Sequence, residues 1–200
     1  MHVIRLMAPR FLLCGLLAVL LAGCGVNDIP TYDEAVKAAW AQVDNQYKRR
    51  ADLIPNLVEV VKGYAAQEQE TLTAVVEARA KATQTNIPPD MLSNEEAFRR
   101  FEQNQGALTQ ALSRLLVVVE RYPDLKSNQN FLSLQAQLEG TENRIAVARR
   151  DYIEAVRVYN TELRTFPGVI WHTLLYSDLE PRETFSQPES AAAPPQVKFN

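Results

Sequence analysis

The sequence predicts an all-α protein: an antiparallel up-and-down bundle of three to four long helices, the first kinked or broken near Pro55. Two observations carry this. Large apolar residues recur in alternating steps of four and three along three long stretches, which is the seam spacing of a bundle helix. No stretch of the body alternates with period two for long enough to build a sheet.

The first stretch runs from about Tyr32 to Thr83, with a seam through Val36, Trp40, Val43, Tyr47, Ile54, Leu57, Val61 and Tyr64, then Leu72 and Val75. Its phase survives Pro55, because Tyr47 and Ile54 are one heptad apart, which favours a single bent helix. Length argues the other way, since about 50 helical residues would span about 75 Å. Asp52 is a suitable N-cap that would leave Pro55 in a first turn, where the missing N–H costs nothing. The expectation is a bend or short break at 51–55, with Pro55 as hinge and two helical pieces around it. Arg50 occupies a seam position, so its charge must be paired or lie at a gap in the packing.

"TNIPPDM" is a loop stopped by Pro88 and Pro89. Ser93 and Glu96 have capping-box spacing and open the second stretch, whose seam passes through Phe98, Phe101, Leu108, Leu112, Leu115 and Val119 before Pro123. "YPDLKSN" turns the chain, with Asp124 or Ser127 as the next cap. The third stretch then follows Phe131, Leu134, Leu138, Ile145, Ala148, Tyr152, Ala155 and Tyr159 until Pro167 and Gly168. Beyond these, "VIWHTLLYSDL" can form a short helix. "PRETFSQPESAAAPPQVKFN" has the proline, serine and alanine content of a largely unstructured tail.

The start of the chain reads as a secretory signal. Arg5 and Arg10 precede an apolar run from Phe11 to Ala22, too short for a membrane span of about 20 residues, and "LAGC" follows. That tetrapeptide has the form of a bacterial lipobox, which makes Cys24 the expected site of lipid attachment. Two or three acyl chains at about 0.8 kcal/mol per buried CH₂ would hold the protein to a membrane permanently. Gly25 stands where an aspartate would signal inner-membrane retention, which favours the outer membrane in a diderm cell.

Removing residues 1–23 removes two arginines and no acids, leaving 19 Lys+Arg against 24 Asp+Glu, a net charge of −5. Nucleic-acid binding, which requires a basic face, is not expected. Cys24 is the single cysteine after the signal, so no disulfide and no cysteine nucleophile follow. His172 is likewise the single histidine of the mature chain, which excludes two-histidine zinc and di-iron motifs. No Gly-x-Ser-x-Gly elbow and no glycine-rich phosphate loop is present. Neither catalysis nor a cofactor is expected.

Three polar groupings remain as candidates for interaction or for structural pairing. The first is Arg49, Arg50, Asp52 and Asn56 around Pro55. The second is Asp124, Lys126, Asn128 and Asn130 at the turn before the last long helix. The third is Glu139, Glu142, Asn143, Arg149 and Arg150 along that helix. Arginine offers bidentate contacts to carboxylates or phosphates, and the same residues can equally cap and cross-tie helices.

"AWAQVDNQYKRRADLIPNLVEVVKGYAAQEQETLTAVVEARAKA" together with "RYPDLKSNQNFLSLQAQLEGTENRIAVARRDYIEAVRVYNTELRTFPG" resembles the LemA family of bacterial membrane-associated proteins, over roughly residues 30 to 170, and "PPQVKFN" resembles the family's ending. The resemblance implies a helical-bundle body held to a membrane at its N-terminus, no established activity or cofactor, and a membrane-organising role in a magnetosome-associated lineage. Two departures stand out: a lipobox in place of a longer membrane-spanning helix, and Ile153 where an asparagine is expected. The resulting division is a signal at 1–23, a lipidated N-terminus and tether at 24–31, the bundle at 32–166 and a tail at 167–200. The functional expectation is a non-catalytic interaction or scaffolding lipoprotein facing the periplasm, partnering an envelope protein or a second copy of itself. The alternative is a self-assembling protein that organises or curves membrane, and an enzyme of unknown class comes third.

Overall fold

The computed structural model describes residues 25–83 and 90–186, and every regular element among them is helical. Helix α1 spans Asp28–Tyr64, α2 Gln69–Thr83, α3 Glu95–Val119, α4 Pro123–Lys126, α5 Gln129–Glu162 and α6 Gly168–Leu175, with a 3-10 turn at Met91–Ser93 before α3. The signal, the proposed lipid site Cys24, the prolines 88 and 89 and the chain beyond 186 lie outside the described residues.

Helix α1 is continuous for 37 residues, about 55 Å, and passes through Pro55 without dividing. The expected break at 51–55 is therefore corrected, and the reason is local. Proline at 55 deprives the Ala51 carbonyl of its helical donor. Arg79 on α2 replaces that donor, its Nε–H reaching the Ala51 oxygen at 2.8 Å. The seam phase then carries straight through, burying Tyr47, Ile54, Leu57 and Val61 on one face. Reversal comes ten residues later, at 65–68. There the Ala65 N–H closes on the Val61 carbonyl and Glu68 accepts from the Leu72 N–H.

The ends of the later helices also shift by a residue or more from the expected caps. Asn94, not Ser93, caps α3, accepting from the Ala97 N–H at 3.0 Å. Ser93 belongs to the preceding 3-10 turn and bonds back to the Asp90 carbonyl. Asn128, not Asp124 or Ser127, caps α5, its Oδ1 accepting from the backbone of Asn130 and Phe131. The tether assigned to 24–31 is shorter than expected, because α1 starts at Asp28 with Ile29 fully buried.

Helix α1 packs principally on α5, and α2 on α3 and α1. Partners fall along α5 as they rise along α1: Trp40 meets Tyr152, Arg50 meets Glu142, and Tyr64 meets Asn128. Two apolar clusters result. One, around Ile54, Leu57, Val61, Leu108, Leu115 and Phe131, fills the half next to the 65–68 turn. The other, around Ile29, Trp40, Tyr47, Phe98, Tyr152 and Tyr159, fills the half where the described chain begins.

That second cluster reaches past the long helices: the short helix expected in "VIWHTLLYSDL" is α6, while 181–186, expected as part of an unstructured tail, is held against the bundle and must be reassigned. Helix α6 covers part of the bundle end, and residues 176–186 form a strap without regular structure along its side. Phe185 is buried among Trp40, Phe98 and Tyr152, with ring centroids 5.1 to 6.2 Å away. Polar ties fix the rest of the strap. Tyr152 and Tyr159 donate to the carbonyls of Glu183 and Glu180, and Asn160 pairs with both the N–H and the carbonyl of Arg182.

Candidate interaction site

Between the two apolar clusters lies a single polar layer, and it is built from three helices. Arg50 on α1 is 1% exposed, among the most buried side chains in the protein. One terminal nitrogen donates to Thr109 Oγ1 and Glu142 Oε1, each at 3.0 Å. The other donates to Gln105 Oε1 at 2.6 Å and to the Gln105 carbonyl at 3.4 Å. Gln105 passes the connection on, its amide nitrogen donating to the Ala82 carbonyl at the end of α2. The guanidinium also lies over the Tyr47 ring, 5.0 Å from its centroid. Four of its five donors are thus used, and the buried Nε–H has no partner in the protein.

A cleft of about 340 Å³ opens beside this layer. Its walls include Tyr47, Arg50, Glu102, Glu142 and Arg149, and the strap residues Phe185 and Ser186 close one side. Arg149 stacks over the Phe185 ring at 4.2 Å. Glu102 accepts from both the backbone N–H and the hydroxyl of Ser186, at 3.0 and 2.9 Å. Burial pushes the Tyr47 hydroxyl above its ordinary pKa, so it stays a neutral donor. Along the same face a second groove of about 400 Å³ runs between α3 and α5, with Leu112, Leu116 and Leu138 in its lining and Glu139, Glu142 and Asn143 beside them.

The three sequence groupings are therefore redistributed. Arg50, Glu142 and Arg149, from two different groupings, meet at one cleft, and Glu139 and Asn143 line the adjoining groove. Asn56 and Asn130 share a shallow groove between α1 and α5. Asn128 is a cap that also donates to the Tyr64 hydroxyl. Arg49, Asp52 and Asp124 are exposed. Lys126 pairs with Glu120 and Arg150 with its neighbour Asp151, both on the surface. Glu102, Gln105 and Thr109 were not singled out. Their signal was a seam step of seven from Phe101 to Leu108 with a polar residue in the gap.

Both carboxylates in the cleft are engaged, Glu142 by Arg50 and Glu102 by Arg149 and by the strap, whose Ser186 hydroxyl donates to it. Among the described residues no group of histidine, cysteine or carboxylate side chains is arranged to hold a metal. The face offers ion pairs, hydrogen bonds and an apolar groove.

The sequence model of the LemA family matches residues 39–199, which includes α1 from its fourth turn onward, all of α2 to α6 and the strap. The chain belongs to the LemA family. It is 25% identical to Magnetosome protein MamQ 2 of Paramagnetospirillum magneticum over 187 residues, covering 86% of this chain and 68% of that protein. It is 25% identical to Protein LemA of Metamycoplasma hominis over 140 residues, 70% of this chain and 60% of that one. A MamQ of Magnetospirillum gryphiswaldense is 22% identical over 157 residues. The LemA match thus extends to the strap that the periodicity alone would have set aside.

Proposed function

We propose that this LemA-family protein is a membrane-tethered, non-catalytic interaction module of the bacterial cell envelope, lipid-anchored at Cys24 and facing the extracytoplasmic side. Its long helices form an antiparallel up-and-down bundle, as the falling order of α5 partners along α1 supports. The contact surface is the α3–α5 face, and one observation carries that choice: an open groove with an apolar lining runs there beside two acidic residues of α5, Glu139 and Glu142, the second held by the buried Arg50. Glu142 is tied to Arg50 on one side, while its side chain remains 39% exposed on the other. A partner segment with an apolar stripe and a basic flank complements this groove. No helix among the described residues is long and apolar enough to cross a membrane; the proposed attachment is the lipid at Cys24.

Similarity to proteins named for the magnetosome favours a second reading, in which the partner is another copy and the assembly organises membrane. In-cell photo-crosslinking separates the two. Probes at Asn143 and Asn56, with Glu77 on α2 as control, are expected to give a discrete adduct to an envelope protein from Asn143. Adducts of the chain to itself would select the second reading, and equal labelling from all three positions would refute a defined contact surface.

A further inference from the structure

Exposed large apolar side chains are unevenly distributed over this protein. Of the eleven among the described residues, six are scattered singly over α1, α2, α3 and α5, and five fall between Phe166 and Leu175. Phe166 is 80% exposed, Leu174 68%, Leu175 58%, Ile170 43% and Val169 39%. At 100° per residue, Val169, Ile170 and Leu174 share one side of α6, and no residue from Gly168 to Leu175 is an acid, a lysine or an arginine. Single exposed apolar residues are ordinary; a contiguous set on a short helix marks a contact.

The inner side of α6 fixes where that set is presented. Trp171 packs on the cluster of Ile29, Tyr159 and Leu163, and His172 Nε2 lies 3.0 Å from the Leu179 carbonyl. Gly168 is buried so tightly against the end of α5 that a Cβ there would sit 2.2 Å from the Glu162 carbonyl. Helix α6 therefore rides on the bundle end formed by the start of α1 and the close of α5. Gly25 lies at the same end, because a Cβ built on it would sit 3.4 Å from Pro167. Cys24 and the apolar run from Phe11 to Ala22 directly precede Gly25 in the chain. The N-terminal end of α6 is thus adjacent to the point where the chain leaves for its anchor.

We propose that α6 is a second membrane contact, an interfacial helix whose Phe166, Val169, Ile170 and Leu174 side chains enter the lipid surface next to the N-terminal anchor. The occupant is the bilayer interface, and the choice rests on the proposed tethering at Cys24: a surface beside the anchor meets lipid before it meets protein. Tethering removes most of the entropic cost of the second contact, so an uncharged helix of this length suffices where it would not hold a free protein. Two contacts at one end also fix the tilt of the bundle, which a lipid attachment at Cys24 alone would leave undefined.

The test uses the full chain produced in bacterial cells, with a photoreactive phenylalanine analogue at Leu174 or at Val117, an exposed valine in the half of the body next to the 65–68 turn. Membranes are floated, irradiated, and the protein analysed for phospholipid adducts. The expected result is flotation of both variants, with lipid adducts roughly tenfold more abundant from position 174 than from 117. Flotation with equal adducts from both positions, or with none, overturns the α6 contact while leaving the tether intact. Flotation with crosslinks from 174 to a second copy, or to residues 11–22 of the same chain, overturns it in favour of that occupant. Failure to float removes the tether and the α6 proposal together.

Discussion

The passage of α1 through Pro55 rests on one hydrogen bond, which makes it open to a double-mutant cycle. Replacing Arg79 with Met removes the Nε–H that serves the Ala51 carbonyl while keeping much of the aliphatic stem. A hydrogen bond from a charged donor is worth about 1.5–3 kcal/mol, so R79M alone is expected to cost about 2 kcal/mol. In a chain that already carries Pro55→Ala, the new backbone N–H at 55 serves Ala51 directly, and the same R79M change should cost less than about 1 kcal/mol. The predicted coupling is therefore about 1 kcal/mol or more, well outside the roughly 0.3–0.5 kcal/mol within which independent sites add. Denaturant unfolding of the four proteins, followed by far-UV circular dichroism, measures it. Equal costs for R79M in both backgrounds would refute the claim that Arg79 substitutes for the lost helical donor.

Other outcomes follow from the same contacts. Arg50→Ala is expected to destabilise the fold by about 2–4 kcal/mol, because it opens a cavity at a fully buried position and leaves the buried Gln105 Oε1 without its donor, whereas Arg50→Met should cost markedly less. Thermal unfolding of the two variants distinguishes them. Phe185→Ala should release the strap: amide exchange at 180–186 should rise steeply while α3 stays protected, and the loss is bounded by the roughly 3–5 kcal/mol of a buried phenylalanine. The strap should also loosen in acid. Burial pushes the Asp33 pKa up, but hydrogen bonds from Lys37 and Arg182, with their charges, outweigh it and hold the carboxyl below its ordinary value. A carboxylate depressed in the folded state contributes stability that is complete above the unfolded pKa of about 4 and is lost as pH falls through the folded value. Exchange protection around Arg182 should therefore decline below about pH 4, and Asp33→Asn should remove that dependence.

Much of this architecture was legible because burial follows period. The seams through Trp40 and Tyr47, Phe98 and Leu115, and Tyr152 and Tyr159 are the buried faces of α1, α3 and α5. Arg50 was legible as a charge on a seam, yet what it pairs with was not, because Gln105 and Glu142 lie 55 and 92 residues away and only the fold aligns them. Pro55 misled for the same reason, since its compensation comes from Arg79 on another helix. The caps moved by one residue because serine and asparagine stand side by side at 93–94 and 127–128, and composition does not rank them. The strap was hidden most completely. "PRETF" has no periodicity, and its order comes from tertiary contacts of Arg182 with Asp33 and of Phe185 with Trp40. Of the candidate residues, the ones that converge are those on helix faces, Arg50, Glu139, Glu142, Asn143 and Arg149. Those that disperse sit on exposed turns or outer faces, as Asp124 and Arg49 do.

The central claim is that the α3–α5 groove is a contact surface set by its acidic rim. The most direct test is the yield of the Asn143 photo-crosslink when Glu139 is changed to Lys, at matched protein level, membrane content and melting temperature. Glu139 is exposed and bonds within the fold to Gln135 alone, so its reversal leaves the buried layer untouched. The account predicts that a discrete Asn143 adduct falls roughly tenfold, the effect of about 1.4 kcal/mol lost at one charged contact. A discrete adduct of unchanged yield would contradict it, and recognition would then have to be sought on another face of the bundle.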